Sequence, residues 1–166
     1  MVKLNIQTGY TGLSFLLFNL LLGWLIWFKN KTLLYIFRPL ILQRRWLGIF
    51  TGVYFVLHFL TYLAKEAFEF TAFEQIWTKN YLIFGFSAFS LLMILTLTSN
   101  SLSVRLLKIK RWKNLHRLVY VAFLLMLGHV FQIEKGNLIL LAAMIVPLLA
   151  LQLWRLLSTM RQRIRT

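Results

Sequence analysis

Three histidines, His58, His116 and His129, are the residues of this sequence best suited to chemistry. Each lies in or beside an apolar stretch, where an ionisable group is costly and therefore marks a functional position by default. Neutral imidazole ligates transition metals and serves as an axial ligand to haem iron. The chain has no cysteine, which removes disulfides, thiolate metal sites, iron–sulfur clusters and thiol catalysis. There are only 4 acidic residues, and no paired carboxylates, glycine-rich phosphate loop or nucleophile elbow, so hydrolytic chemistry has no support.

Depth decides which histidines can meet. His58 lies 13 residues beyond Arg45, about 20 Å along a helix. His129 lies 12 residues beyond Arg117, about 18 Å along another. If both helices leave the same membrane face, the two imidazoles reach similar heights. They can then clamp one iron from opposite sides, as in a six-coordinate, low-spin b-type haem. Gly128, beside His129, is expected to leave space for the macrocycle. His116 lies 13 residues before His129, about 20 Å nearer the opposite face. Those steps turn a straight helix through roughly 220°, so the two histidines cannot point the same way without a bend or local distortion. A second haem at His116 also lacks a histidine partner at matching depth. Arg111, Lys113 and Arg117 stand beside it and suit haem propionates or an anionic donor. A plainer reading runs alongside: membrane histidines serve as interhelical hydrogen-bond partners, and an interfacial His116 needs no special role. Asn19, Gln132 and Gln152 are expected to make interhelical hydrogen bonds of the same kind.

The elements that must position these residues are membrane helices. Hydrophobic residues make up 60% of the chain and charged residues 14%, against about 25% charged in soluble domains. A single soluble core cannot hide that much apolar surface, so the surplus faces lipid. A spanning helix needs about 20 apolar residues, and five segments qualify: Tyr10–Phe28, Trp46–Ala64, Asn80–Thr98, Leu115–Ile133 and Asn137–Leu157. The expectation is an all-α, polytopic membrane helix bundle forming a single domain over residues 1–166. The first span lacks the flanks and cleavage pattern of a signal peptide. Gly48 and Gly52 form a G-x-x-x-G that permits close helix packing, and Pro147 should kink the last span.

Charge sets the orientation. The first loop, the third loop and the C-terminal tail hold all of the 19 basic residues except Lys3, Lys65, Lys79 and Lys135. All the acids, Glu66, Glu69, Glu74 and Glu134, lie on the side of those four lysines. The positive-inside rule then places the N-terminus outside and the C-terminus in the cytoplasm. The same rule accounts for the net charge of +15 without nucleic acid as a partner. The basic face suits an acidic flavoprotein or anionic membrane lipid, and the acidic loop on the other side would meet an acceptor.

Several short runs now carry a resemblance. Arg44-Arg45-Trp46-Leu47-Gly48 is followed by Leu57-His58 and Thr61-Tyr62. Leu97-Thr98-Ser99-Asn100 is followed by Arg111-Trp112, Leu115-His116, Val119-Tyr120 and His129. Over roughly residues 8–157 the chain resembles the MsrQ family, within the wider ferric-reductase-like transmembrane group that includes the membrane part of NADPH oxidases. By that resemblance the chain opens at the family's second span. The resemblance implies that His58, His116 and His129 ligate haem b, one or two per chain; Arg111 and Arg117 are the cofactor-binding cations expected from their position beside His116. It implies an electron-transfer subunit of an oxidoreductase system, without a complete catalytic domain of its own, in a bacterial inner (plasma) membrane. Electrons would come from a quinol or a cytosolic flavin reductase and pass to a reductase on the outer side. Flavin or quinone are further cofactors of such systems, whose residues the resemblance leaves unassigned. The rival expectation is a haem-free structural or assembly subunit of a larger membrane complex. A transporter is disfavoured, because no span carries a charged residue at mid-depth.

Overall fold

The computed structural model describes residues 1–28, 31–66 and 68–133, with scattered positions between 139 and 157. Eight helices occupy the continuous part: α1 (Val2–Phe28), α2 (Lys31–Ile36), α3 (Arg38–Leu42), α4 (Arg44–Lys65), α5 (Thr71–Thr78), α6 (Asn80–Leu97), α7 (Ser101–His116) and α8 (Val119–Phe131). Four helical stretches are long and apolar enough to cross a membrane: Val2–Ile26, Arg44–Lys65, Asn80–Leu97 and the combined run Ser101–Phe131. The expected fifth span, Asn137–Leu157, with its Pro147 and Gln152, lies outside the described residues, apart from isolated helical positions. The protein is an all-α membrane bundle.

α1 begins at Val2 rather than at Tyr10. Lys3, Asn5, Gln7 and Thr8 lower the hydropathy there, yet nothing breaks the helix. Thr8 Oγ1 donates to the Leu4 carbonyl at 2.9 Å and Thr11 Oγ1 to the Gln7 carbonyl at 2.8 Å, so these hydroxyls are satisfied by the helix itself. Asn5 reaches across to α4, where its Nδ2 donates to the His58 carbonyl at 2.9 Å and to Thr61 Oγ1 at 3.0 Å. The extra turns carry α1 to the level of His58.

The bundle is built from two helix pairs, α1 against α4 and α6 against α8, with α4 and α6 joining them. Its centre is a cluster that includes Leu13, Leu16, Leu20, Phe55, Leu92, Ala122 and Met126. Lipid is as apolar as these side chains, so association rests on packing and interhelical hydrogen bonds rather than on the hydrophobic effect. Gly52 lies against Thr96 of α6 so closely that any Cβ there would collide with it. Asn19 of α1 and Arg44 of α4 bond reciprocally: Asn19 Nδ2 donates to the Arg44 carbonyl at 3.1 Å, and Arg44 Nε donates to Asn19 Oδ1 at 3.0 Å. Asn19 is thus interhelical, as expected. Gln132 is not: it donates to the Gly128 carbonyl of its own helix at 3.2 Å.

The predicted span over 115–133 is divided. α7 ends at His116 and α8 starts at Val119. Between them the amides of Arg117, Leu118 and Tyr120 bond three residues back, at 3.2, 3.0 and 3.1 Å, the tighter 3₁₀ pattern. α7 itself fills the basic third loop. Asn100 caps it by accepting from the Ser103 amide at 2.7 Å, a bond that satisfies a free N-terminal donor. Lys108 interrupts it at φ 60°, ψ 147°, a conformation that costs a non-glycine residue about 1–3 kcal/mol. The acidic loop between α4 and α6 also contains a helix, α5, which turns Ala72 and Ile76 inward and leaves Phe73 and Trp77 exposed.

Candidate functional site

His58 lies in the last third of α4 and His129 near the end of α8. The bundle brings them together, with ring centres 6.4 Å apart and ring planes at 81°. Each is tied to a neighbouring helix through Nδ1. His58 Nδ1 lies 2.9 Å from the Asn5 carbonyl of α1, and His129 Nδ1 lies 2.7 Å from the Tyr81 carbonyl of α6. A carbonyl only accepts, so Nδ1 carries the proton in both rings. The lone pair is then left on Nε2, the arrangement in which a ligating histidine is usually held.

Both imidazoles line one cavity of about 620 Å³. Leu13, Phe55, Phe59, Phe89, Leu92 and Met126 supply much of its apolar wall. Tyr62, Lys65, Glu66, Gln75 and Lys79, from α4, α5 and the turn before α6, give it a polar rim. Tyr62 Oη donates to the Ala72 carbonyl at 3.1 Å and fastens α5 over that rim. Lys79 Nζ donates to Gln75 Oε1 at 2.7 Å, and Lys65 pairs with Glu66 at 3.0 Å. The hydrogen bond from Lys65 holds the Glu66 carboxyl below its ordinary range.

His116 is placed elsewhere. It is half-buried at the end of α7, against Trp112 with ring centres 4.1 Å apart and planes tilted by 32°, and its Nε2 lies 3.3 Å from Thr98 Oγ1. It does not line the cavity of His58 and His129. Arg111, Lys113 and Arg117 are exposed on and just after α7. Gly128 does not open the cavity either; it faces the ring of Phe84, where a Cβ would sit 3.3 Å from Cγ. The glycines that touch the histidines are Gly9 and Gly85, which sequence reasoning passed over. The one available signal was a helical glycine with no turn to explain it.

Thr98, Ser99 and Asn100 form a hub at the opposite end of the bundle. The Thr98 carbonyl accepts from Trp112 Nε1 at 2.9 Å, the Ser99 carbonyl accepts from Arg45 Nε at 2.7 Å, and Asn100 caps α7. The two basic-Trp runs and the Leu-Thr-Ser-Asn run of the sequence thus meet in one place.

A bundle of apolar helices long enough to cross a membrane, with two carbonyl-anchored histidines facing one cavity, defines an all-α membrane protein. Comparison with known proteins adds the family. The family described as ferric reductase like transmembrane component matches residues 8–127. A protein-methionine-sulfoxide reductase heme-binding subunit MsrQ from Xanthomonas oryzae pv. oryzae (strain MAFF 311018) is 32% identical over 164 residues, covering 96% of this chain and 72% of the relative. MsrQ proteins of Azospira oryzae and Herminiimonas arsenicoxydans are 36% and 39% identical over 121 and 100 residues, covering 71% and 59% of this chain and 52% and 46% of theirs. No solved structure matches. The chain belongs to the ferric-reductase-like transmembrane family, and the relatives named here are MsrQ subunits.

Proposed function

We propose that this protein is a b-type cytochrome that carries electrons across the membrane. The observation that carries the reading is the His58–His129 pair. Two imidazoles bound through Nε2 to one metal, with bonds of about 2 Å, have ring centres roughly 6 Å apart, and these stand at 6.4 Å. Among the described residues no group of three or more histidine, cysteine or acidic side chains could hold a bare ion. A haem brings its own macrocycle nitrogens, so His58 and His129 would be the ligands this chain adds to its iron. The cavity volume lies within the range of about 300–1,000 Å³ for small-molecule sites. When bound, haem supplies a one-electron couple. His58 and His129 ligate and orient it. The aromatic and aliphatic wall excludes water, and Lys65 and Lys79 at the rim offset the charge of its propionates.

The names and identities of the relatives support haem as the cofactor, and the charge asymmetry supports a cytoplasmic basic face. On that orientation the site lies in the outer half of the membrane. Electrons then enter from a cytosolic flavoprotein or a quinol and leave to an acceptor protein at the outer rim. His116, beside Arg111, Lys113 and Arg117, is the candidate ligand of a second haem near the entry side. The break between α7 and α8 supplies the distortion such a site needs.

The test is the reduced-minus-oxidised absorption spectrum of the purified protein, with haem quantified per chain. Low-spin b-type bands are expected, lost in His58→Ala and in His129→Ala. His116→Ala should keep the bands of the outer pair and lose only those of a second haem. A preparation that stays colourless after haem supplementation would favour a haem-free structural subunit.

A further inference from the structure

His58 and His129 stand on different helices and lean on different neighbours, yet each is received in the same way. Asn5 and Gly9, one turn apart on α1, receive His58; Tyr81 and Gly85, one turn apart on α6, receive His129. In each case the first residue gives its carbonyl to the imidazole Nδ1. The glycine one turn on lies under the ring. A helix already directs the carbonyl of residue i toward the amide of residue i+4. A ring that reaches that carbonyl from outside must pass over the place where the side chain of residue i+4 begins.

The close approach is measurable. A Cβ on Gly9 would stand 2.9 Å from His58 Cε1 and 3.0 Å from its Nδ1. One on Gly85 would stand 2.6 Å from His129 Nδ1 and 2.8 Å from Cε1. Backbone conformation does not call for glycine here, since no described glycine has positive φ. Inside a helix glycine is about 1 kcal/mol less favourable than alanine, so both positions carry a local cost that the ring contacts explain.

We infer that Gly9 and Gly85 are positioning residues that set the tautomer and tilt of the two histidines. This rests on the haem reading above. The glycines let each imidazole donate its Nδ1–H to a helix carbonyl and turn the Nε2 lone pair to the cavity. A hydrogen bond from Nδ1 raises the basicity of a ligating imidazole and favours the oxidised metal. Displacing the ring weakens that bond. The iron–nitrogen interaction then loosens, and the potential of the remaining haem rises.

The experiment compares full-length wild type, Gly9→Ala and Gly85→Ala by absorption and EPR spectroscopy and by redox titration. Gly12→Ala is the packing control: a Cβ there meets Phe55 and Tyr54 at 3.3 Å and no histidine. The two test variants should bind haem roughly 10–100-fold more weakly, show a high-spin fraction and have a raised midpoint potential. Gly12→Ala should keep the wild-type spin state and potential. Where Gly9→Ala fails to fold, the change should be harmless in a His58→Ala background, because the ring it strikes is gone. Equal damage in that background would overturn the inference. So would low-spin spectra and potentials in both glycine variants that match a low-spin wild type, an outcome that leaves the cytochrome reading standing. A wild type without low-spin haem would sink both.

Discussion

At the scale of single residues, the depth argument and the bundle agree on one pair. His58 and His129 were placed at similar heights by counting from Arg45 and Arg117, and their rings meet. What holds them could not be read in that way. Asn5 and Gly9 fall before the expected start of the first span, and the carbonyls of Asn5 and Tyr81 are backbone atoms that carry no residue signature. The cations of this cavity carry no motif either: Lys65 and Lys79 line its rim, while Arg111 and Arg117 stand exposed near His116 at the far end. A positive charge near a haem favours its reduced form, so Lys79→Gln is expected to lower the midpoint potential and leave the low-spin bands unchanged. A redox titration checks this, and a potential equal to wild type would remove Lys79 from the electrostatics of the site. Lys65 should matter less, since Glu66 at 3.0 Å offsets its charge.

At the scale of elements, hydropathy finds the apolar centres of four helices and the ends of α4 and α6 to within two residues, but misjudges the start of α1 and the break between α7 and α8. The misjudged parts are those where polar side chains bond back to the helix or across to a neighbour, as in the first turns of α1. The helices in charged segments, the amphipathic α5 and the basic α7, contain no apolar run long enough to notice. The G-x-x-x-G of Gly48 and Gly52 was legible as a packing motif, but not its partners. Gly48 faces Asn19 of α1, and Gly52 faces Thr96 of α6, so one motif serves two interfaces. Gly52→Ala should destabilise the protein by about 1–3 kcal/mol, the usual cost of forcing extra atoms into a packed contact. Thermal unfolding in detergent measures this. Gly52→Ala with Thr96→Ala should recover part of the loss, because the hydroxyl and methyl nearest the new Cβ are removed while Thr96 Cβ stays. An additive double variant would mean that the α4–α6 contact does not depend on this fit.

At the scale of the whole molecule, the site is asymmetric along the bundle axis. The His58–His129 cavity opens toward Lys65, α5 and Lys79, whereas Arg45, the Thr98–Asn100 hub and the basic helix α7 lie at the other end. The direction of electron flow therefore depends on which end faces the cytoplasm. Charge is what bears on that question in the sequence, through the excess of basic residues on the α7 side, which favours a cytoplasmic α7. The chain has no native cysteine, so single cysteines report without background. Glu69 and Lys110 are both exposed and lie in segments that the charge argument places on opposite faces. In intact cells Glu69→Cys should react with a membrane-impermeant maleimide, and Lys110→Cys should react only after the membrane is opened. The reverse pattern would move the paired histidines to the cytoplasmic half and exchange the donor and acceptor faces. It would leave the proposed ligation by His58 and His129 untouched, because their geometry does not depend on orientation.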